Sequence, residues 1–182
     1  MPSIRLARLA AAALVVAAAT SACAQDLYRD NAVWLDDASQ PVRLESLRGH
    51  YSVLTLAYGA CRRICSTSLR ILEAVQSLAD RDGVALDFVV VGLDPAADRP
   101  ADWAAFRQQQ GLQRPNWHFL TGDAASTQGM LQRLGVRAWR VDAHLLHDFK
   151  IVLLSPQGQV MQSMEYFDQP ASLLLPGAPT LR

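Results

Sequence analysis

The stretch "SVLTLAYGACRRICSTSLR", Ser52 to Arg70, decides the fold. Its first seven residues, Ser52 to Tyr58, form a short, apolar, β-prone run that suits a buried strand. From Ile64 onward, apolar residues recur at Ile71, Leu72, Val75, Leu78 and Ala79. That is the period of a helix packed along one face, and "DRDG", ending at Gly83, stops it. Two cysteines, Cys61 and Cys65, stand at the turn between strand and helix, with Arg62 and Arg63 between them. Taken alone, the pair reads as a redox dithiol, as part of a metal site, or as two small buried side chains.

Working outward, apolar and polar segments alternate. "ALDFVVVGLD" is a second buried strand ending at Asp94. "DRPADWAAFRQQQG" reads as a helix with Asp98 as its cap, Pro100 in its first turn and Gly111 after it. "WHFLTG" is a short strand, and "DAASTQGMLQRLG" a helix running from an Asp123 cap to Gly135. "KIVLLSPQGQVMQSM" is a hairpin about a Ser-Pro-Gln-Gly turn. Upstream, "AVWL" and "PVRL" flank "DDASQ" as a small entrance hairpin. The tail, "FDQPASLLLPGAPTLR", offers at most one short helix. The order, hairpin, then β-α-β-α-β-α, then β-hairpin, implies one three-layer α/β domain with a mixed sheet over residues 25–182.

The first 24 residues read as a targeting segment. Arg5 and Arg8 form a positive start, and Leu9 to Ala19 a short apolar run, too short for a membrane span. "ACA", Ala22 to Ala24, fits cleavage after Ala24, whereas "TSAC", Thr20 to Cys23, resembles a bacterial lipobox with Cys23 lipidated. The expectation is an exported protein on the periplasmic side of a bacterial inner membrane, soluble or tethered through Cys23. With 17 basic and 17 acidic residues in 182, the chain has no basic field for nucleic acid and no acidic tail.

Export settles the cysteine arithmetic. Cys23 is removed or becomes a thioether, which leaves Cys61 and Cys65 in an oxidising compartment where they can form a disulfide. Such a bridge closes a loop of about five residues and removes little chain entropy, so the pair points to chemistry more than to stapling. On a helix, residues four apart share a face with Cβ atoms about 5–6 Å apart. A helix N-terminus and the two arginines both favour thiolate over thiol.

"LAYGACRRICSTS", then "VVVGLDPAADRP", then "HDFKIVLLSPQGQV" resemble the Sco/SenC family of thioredoxin-like proteins, over roughly residues 33 to 165. The family pattern sets a Cys-x-x-x-Cys turn, an Asp-Pro after the next strand, and a His nine residues before the Pro of the final hairpin. Here those positions hold Cys61 and Cys65, Asp94-Pro95, and His147 ahead of Pro156. The resemblance implies a thioredoxin-like fold and a copper site of Cys61, Cys65 and His147. It also implies a role in loading the copper A site of cytochrome c oxidase. Arg62 and Ser66 replace the prolines that usually follow each family cysteine, which makes the loop less stiff and more positive. Two thiolates and an imidazole form a soft, low-coordinate set suited to Cu(I), whereas structural zinc wants a fourth ligand. With Cu(I), two thiolates carry a net charge of −1, which Arg62 or Arg63 could offset.

Three functions compete at this point. The first is a metallochaperone passing Cu(I) to an exported copper protein, such as a cytochrome c oxidase subunit. The second is a thiol–disulfide oxidoreductase that keeps a client's copper-ligand cysteines reduced. There Cys61 attacks, Cys65 resolves, and a thiol reductant is a further partner. The third is a peroxide-reducing thiol enzyme, but Tyr58 stands where Thr-x-x-Cys would need threonine. The oxidoreductase reading also lacks the proline that thioredoxin-like enzymes place beside their dithiol, since the chain has "LLHDF" there. His144 is a substitute or a fourth ligand beside His147, or a solvated loop residue. Asp94 serves as a turn former or adjusts the cysteines. His50 and His118 read as structural or surface residues, and Trp34, Trp103, Trp117 and Trp139 as packing.

Overall fold

The computed structural model describes residues 26–59, 64–142 and 144–178; of residues 64–66 it describes the backbone alone. The targeting segment, Cys23 and Cys61 therefore lie outside the described residues. In chain order the elements are β1 (Trp34–Leu35), β2 (Pro41–Val42), β3 (Tyr51–Ala57), α1 (Ile64–Asp82), β4 (Leu86–Gly92) and α2 (Pro100–Gln110). They continue with β5 (Trp117–Leu120), α3 (Ala124–Leu134), β6 (Ala138–Val141), β7 (His144–His147), β8 (Ile151–Leu154) and β9 (Val160–Met164).

β3 is buried on both faces because its apolar run supplies both parities. Val53 and Ala57 face one core, with Leu69, Leu72, Val75 and Ala79 of α1. Leu54 and Leu56 face the other, with Met130, Leu131 and Leu134 of α3. That two-sided burial is what a near-continuous apolar strand calls for. The five strands run in the order β5-β4-β3-β8-β9. β3, β4 and β5 are parallel, while β8 and β9 are antiparallel to their neighbours, so the sheet is mixed. The result is the thioredoxin-like three-layer α/β architecture with an N-terminal β-hairpin.

That hairpin, β1-β2, pairs Trp34 with Val42. It is joined to the main sheet by reciprocal 2.8 Å backbone hydrogen bonds between Leu35 and Thr121. Trp34 lies fully buried against Gly122, where a Cβ would stand 2.5 Å from its ring. α3 is capped as the sequence suggests: Asp123 accepts from the Ser126 N–H, and Gly135 takes the left-handed conformation at the other end. The tail's one short helix is 3-10, Ala171–Leu174, and its Leu173 and Leu174 complete the α1 core.

Two local expectations change. Asp98 does not cap α2: the cap residue is Arg99, whose N–H and guanidinium both donate to Asp102. The segment before β8 holds a second small hairpin, β6-β7, where sequence patterning suggests loop. His50 and His118 do have a partner. Both place a ring nitrogen on the Asp87 carboxylate, at 2.9 and 3.4 Å, at the end of the sheet where β3 and β4 begin.

Candidate metal centre

The topology gathers the predicted site at one end of the sheet. β3 leads into the cysteine loop, and its register with β8 pairs Thr55 with Ile151. Residues following Thr55 and residues preceding Ile151 therefore share that end, which Thr55 Oγ1 closes by donating to the Lys150 carbonyl at 3.0 Å. β4 delivers Asp94-Pro95 to the same end, with the Leu93 N–H donating to the Ala57 carbonyl at 2.8 Å. This is the carboxyl edge of the parallel strands, where open α/β sheets place their sites.

Cys65 is the second residue of α1. Its side chain, like Cys61, lies outside what is described. Among the described residues, no three His, Cys, Asp or Glu side chains form a metal-holding group. The third predicted ligand is described in full. His147 ends β7 with 9% exposure. Its Nδ1 lies 2.8 Å from the carbonyl oxygen of Asp148. A carbonyl only accepts, so Nδ1 carries the proton and Nε2 carries the lone pair. Nε2 is buried and has no hydrogen-bond partner among the described residues. Burial also holds the imidazole's pKa below its ordinary value, against the smaller opposing effects of the Asp148 carbonyl and carboxylate. The ring is thus neutral at neutral pH, with one oriented donor atom. A backbone carbonyl holding the remote ring nitrogen is the usual arrangement of a metal-binding histidine.

His144, three residues earlier on the same strand, faces the other way, because side chains alternate along a strand. It is exposed and pairs with Val141. The outer hairpin face that it shares includes Trp139, 45% exposed. His144 therefore does not converge with His147; of the two readings open for it, the solvated one fits, with the residue on a strand and not in a loop.

Asp94 is buried, and its role is bracing. Its Oδ2 accepts from Arg140 of β6 at 2.6 Å, and its Oδ1 accepts from the Ala96 N–H at 3.2 Å. Pairing with Asp94 raises the Arg140 pKa further. The ion pair ties the hairpin that bears His147 to the Asp-Pro turn.

Asp98 is the site residue that sequence reading placed elsewhere. Its carboxylate is 1% exposed. It accepts from the Gly59 N–H at 2.8 Å on one oxygen and from the Asp94 N–H at 2.8 Å on the other. Burial pushes its pKa up to about 6, with a smaller contribution from the Asp94 charge, while the backbone donors pull it down. The legible signal was the spacing of Asp94 and Asp98, four residues apart around one turn.

A family model described as SCO1/SenC matches residues 30–175. The chain belongs to the SCO1/SenC family. Among solved structures of similar fold are Arabidopsis thaliana ScoI with copper bound and yeast Sco1 with copper bound. The first has a TM-score of 0.69 at 19% identity, covering 78% of this chain and 90% of that one. The second has a TM-score of 0.67 at 20% identity, covering 78% and 81%. A candidate copper-binding protein of Stutzerimonas stutzeri is 25% identical over 132 residues, 69% of this chain and 63% of that relative's length. These SCO1/SenC likenesses put Cys61, Cys65 and His147 in a family with copper-bound members.

Proposed function

We propose that this SCO1/SenC protein is an exported copper chaperone that holds Cu(I) on Cys61, Cys65 and His147. It delivers the ion to a copper protein on the periplasmic side of the membrane, and the copper A site of cytochrome c oxidase is the client. The reading is carried by one observation: a buried imidazole whose remote nitrogen is hydrogen-bonded and whose Nε2 has no partner among the described residues. A buried polar atom left unpaired is costly, and a cargo ion at Nε2 would remove that cost.

The chain's residues act in two ways. The thiols of Cys61 and Cys65 lose their protons to solvent and hold the soft ion as thiolates, while Arg62 and Arg63 offset the resulting negative charge. His147 supplies a neutral donor, so its departure separates no charge and leaves one position open to a client's sulfur. Transfer then proceeds by stepwise ligand exchange, without a change in copper oxidation state. If so, a client domain whose copper A site is empty acquires its characteristic visible absorption when mixed with the copper-loaded protein, together with an oxidant for the mixed-valence form. A His147→Ala protein keeps the two thiolates, holds its cargo more weakly by about tenfold or more and gives it up more readily to a competing chelator.

A second reading rests on the same cysteines. A solved relative, BsSco, is described by a disulfide switch. Here the Cys61 thiolate attacks a client disulfide and Cys65 resolves the mixed disulfide. The client gains two thiols, Cys61–Cys65 becomes the disulfide, and a thiol reductant restores it.

A further inference from the structure

Three loops leave the carboxyl ends of β3, β4 and β5, and one buried residue, through its side chain and backbone together, ties all three. Asp98 accepts from Gly59, two residues before Cys61, and from Asp94. Its backbone carbonyl accepts from the Thr121 hydroxyl, and its own N–H donates to the Asp94 carbonyl. The approach is close enough to demand glycine. A Cβ at Gly59 would stand 3.0 Å from Asp98 Oδ1, and one at Gly92 would stand 2.8 Å from Asp98 Cβ. Asp94 in turn holds Arg140 of β6, whose hairpin ends at His147.

We propose that Asp98 is a positioning residue for the copper site, setting the cysteine loop in register with the hairpin that carries His147. The links run from Gly59 to Asp98, to Asp94, to Arg140 and so to β6-β7. This inference rests on the copper reading above. A charged carboxylate receives two N–H donors more strongly than a neutral group would. An amide at this place accepts on one side only and presents an N–H to the other donor. The raised pKa fits a carboxylate kept buried where chemistry, more than stability, requires it.

Asp98→Asn keeps the shape and breaks one tie. In the reduced, copper-loaded protein, X-ray absorption should show two sulfurs and one nitrogen on Cu(I) for the wild type. For Asp98→Asn it should show two sulfurs alone, with affinity lower by about tenfold or more, the usual effect of losing a group that orients a ligand. A general loss of stability does not change coordination number in the molecules that remain folded. An unchanged spectrum with affinity within about twofold of wild type would overturn the proposal.

A measurement on the copper-free wild type needs no variant. The Gly59, Asp94 and Cys61 backbone resonances should move together with pH, with one midpoint near the Asp98 value of about 6. A Cys61 resonance that ignores that midpoint would overturn the proposal. Absence of copper binding by the wild type would instead overturn the copper reading, and the Gly59–Cys61 coupling would still be tested.

Discussion

Arg140 donates to Asp94 across 2.6 Å and joins the second small hairpin to the Asp-Pro turn. The pair lies at the rim: the arginine side chain is 55% exposed and the aspartate side chain 9%. Its arginine end is open to solvent, which screens the attraction and keeps the contribution to stability small, so its value is mainly geometric. Arg140→Ala should leave the thermal midpoint nearly unchanged and weaken Cu(I) binding several-fold, as read by chelator competition. A large fall in midpoint with unaltered affinity would assign the pair to stability alone.

His147 and His144 should separate cleanly. Removing His147 takes away a buried donor atom, whereas His144 lies on the opposite, exposed face of β7. Cu(I) affinity should fall about tenfold or more for His147→Ala and stay within about twofold for His144→Ala. The copper-free protein offers a second check. The folded His147 pKa lies below 6.5 because of burial, so the unfolded chain binds the proton more readily. Its contribution to stability is complete above about 6.5 and is lost as the pH falls towards the folded value. Denaturant unfolding from pH 7.5 to 5 should show that slope in wild type and lack it in His147→Gln.

Asp98 has the opposite sign. Its folded pKa of about 6 exceeds the ordinary carboxyl value of 3.8. The contribution is fully present below about 3.8 and is lost as the pH rises through about 6. Two pH units correspond to about 3 kcal/mol. The wild type minus Asp98→Asn difference in unfolding free energy should therefore fall by about that amount between pH 4 and 7. A flat difference would mean that burial does not hold the proton.

Much of this architecture is legible in the chain because period and punctuation agree. α3 runs between Asp123 and Gly135, α1 ends at Gly83, and β3 shows its two-sided burial as an unbroken apolar run. β6-β7 was hidden by its brevity: four-residue strands turn at Asp142, which takes φ +53 without the Asn-Gly or Asp-Gly signature. Strand parity also separates His147, which the family spacing singles out, from its neighbour His144. Local pattern points Asp98 to the helix cap because an Asp before a Pro in a first turn is a strong cap signal. Its carboxylate accepts instead from the Asp94 N–H, four residues back, and from the Gly59 N–H, 39 residues away; the second is a long-range choice that local pattern does not encode.

Gly92 tests the packing around that carboxylate. A Cβ there meets Asp98 Cβ at 2.8 Å and Trp103 Nε1 at 3.2 Å, and neither neighbour has room to withdraw. Gly92→Ala should destabilise the protein by about 1–3 kcal/mol, the usual range for overpacking, as measured by chemical denaturation. A neutral substitution would mean that Asp98 is less tightly held than its contacts indicate.

The central claim is tested most directly by anaerobic titration of the reduced protein with Cu(I) against a competing chelator. The account predicts one tight equivalent per chain, abolished by replacing Cys61 and Cys65 with serine and weakened about tenfold or more by His147→Ala. Failure to bind a tight equivalent would contradict it and leave Cys61 and Cys65 as a redox dithiol.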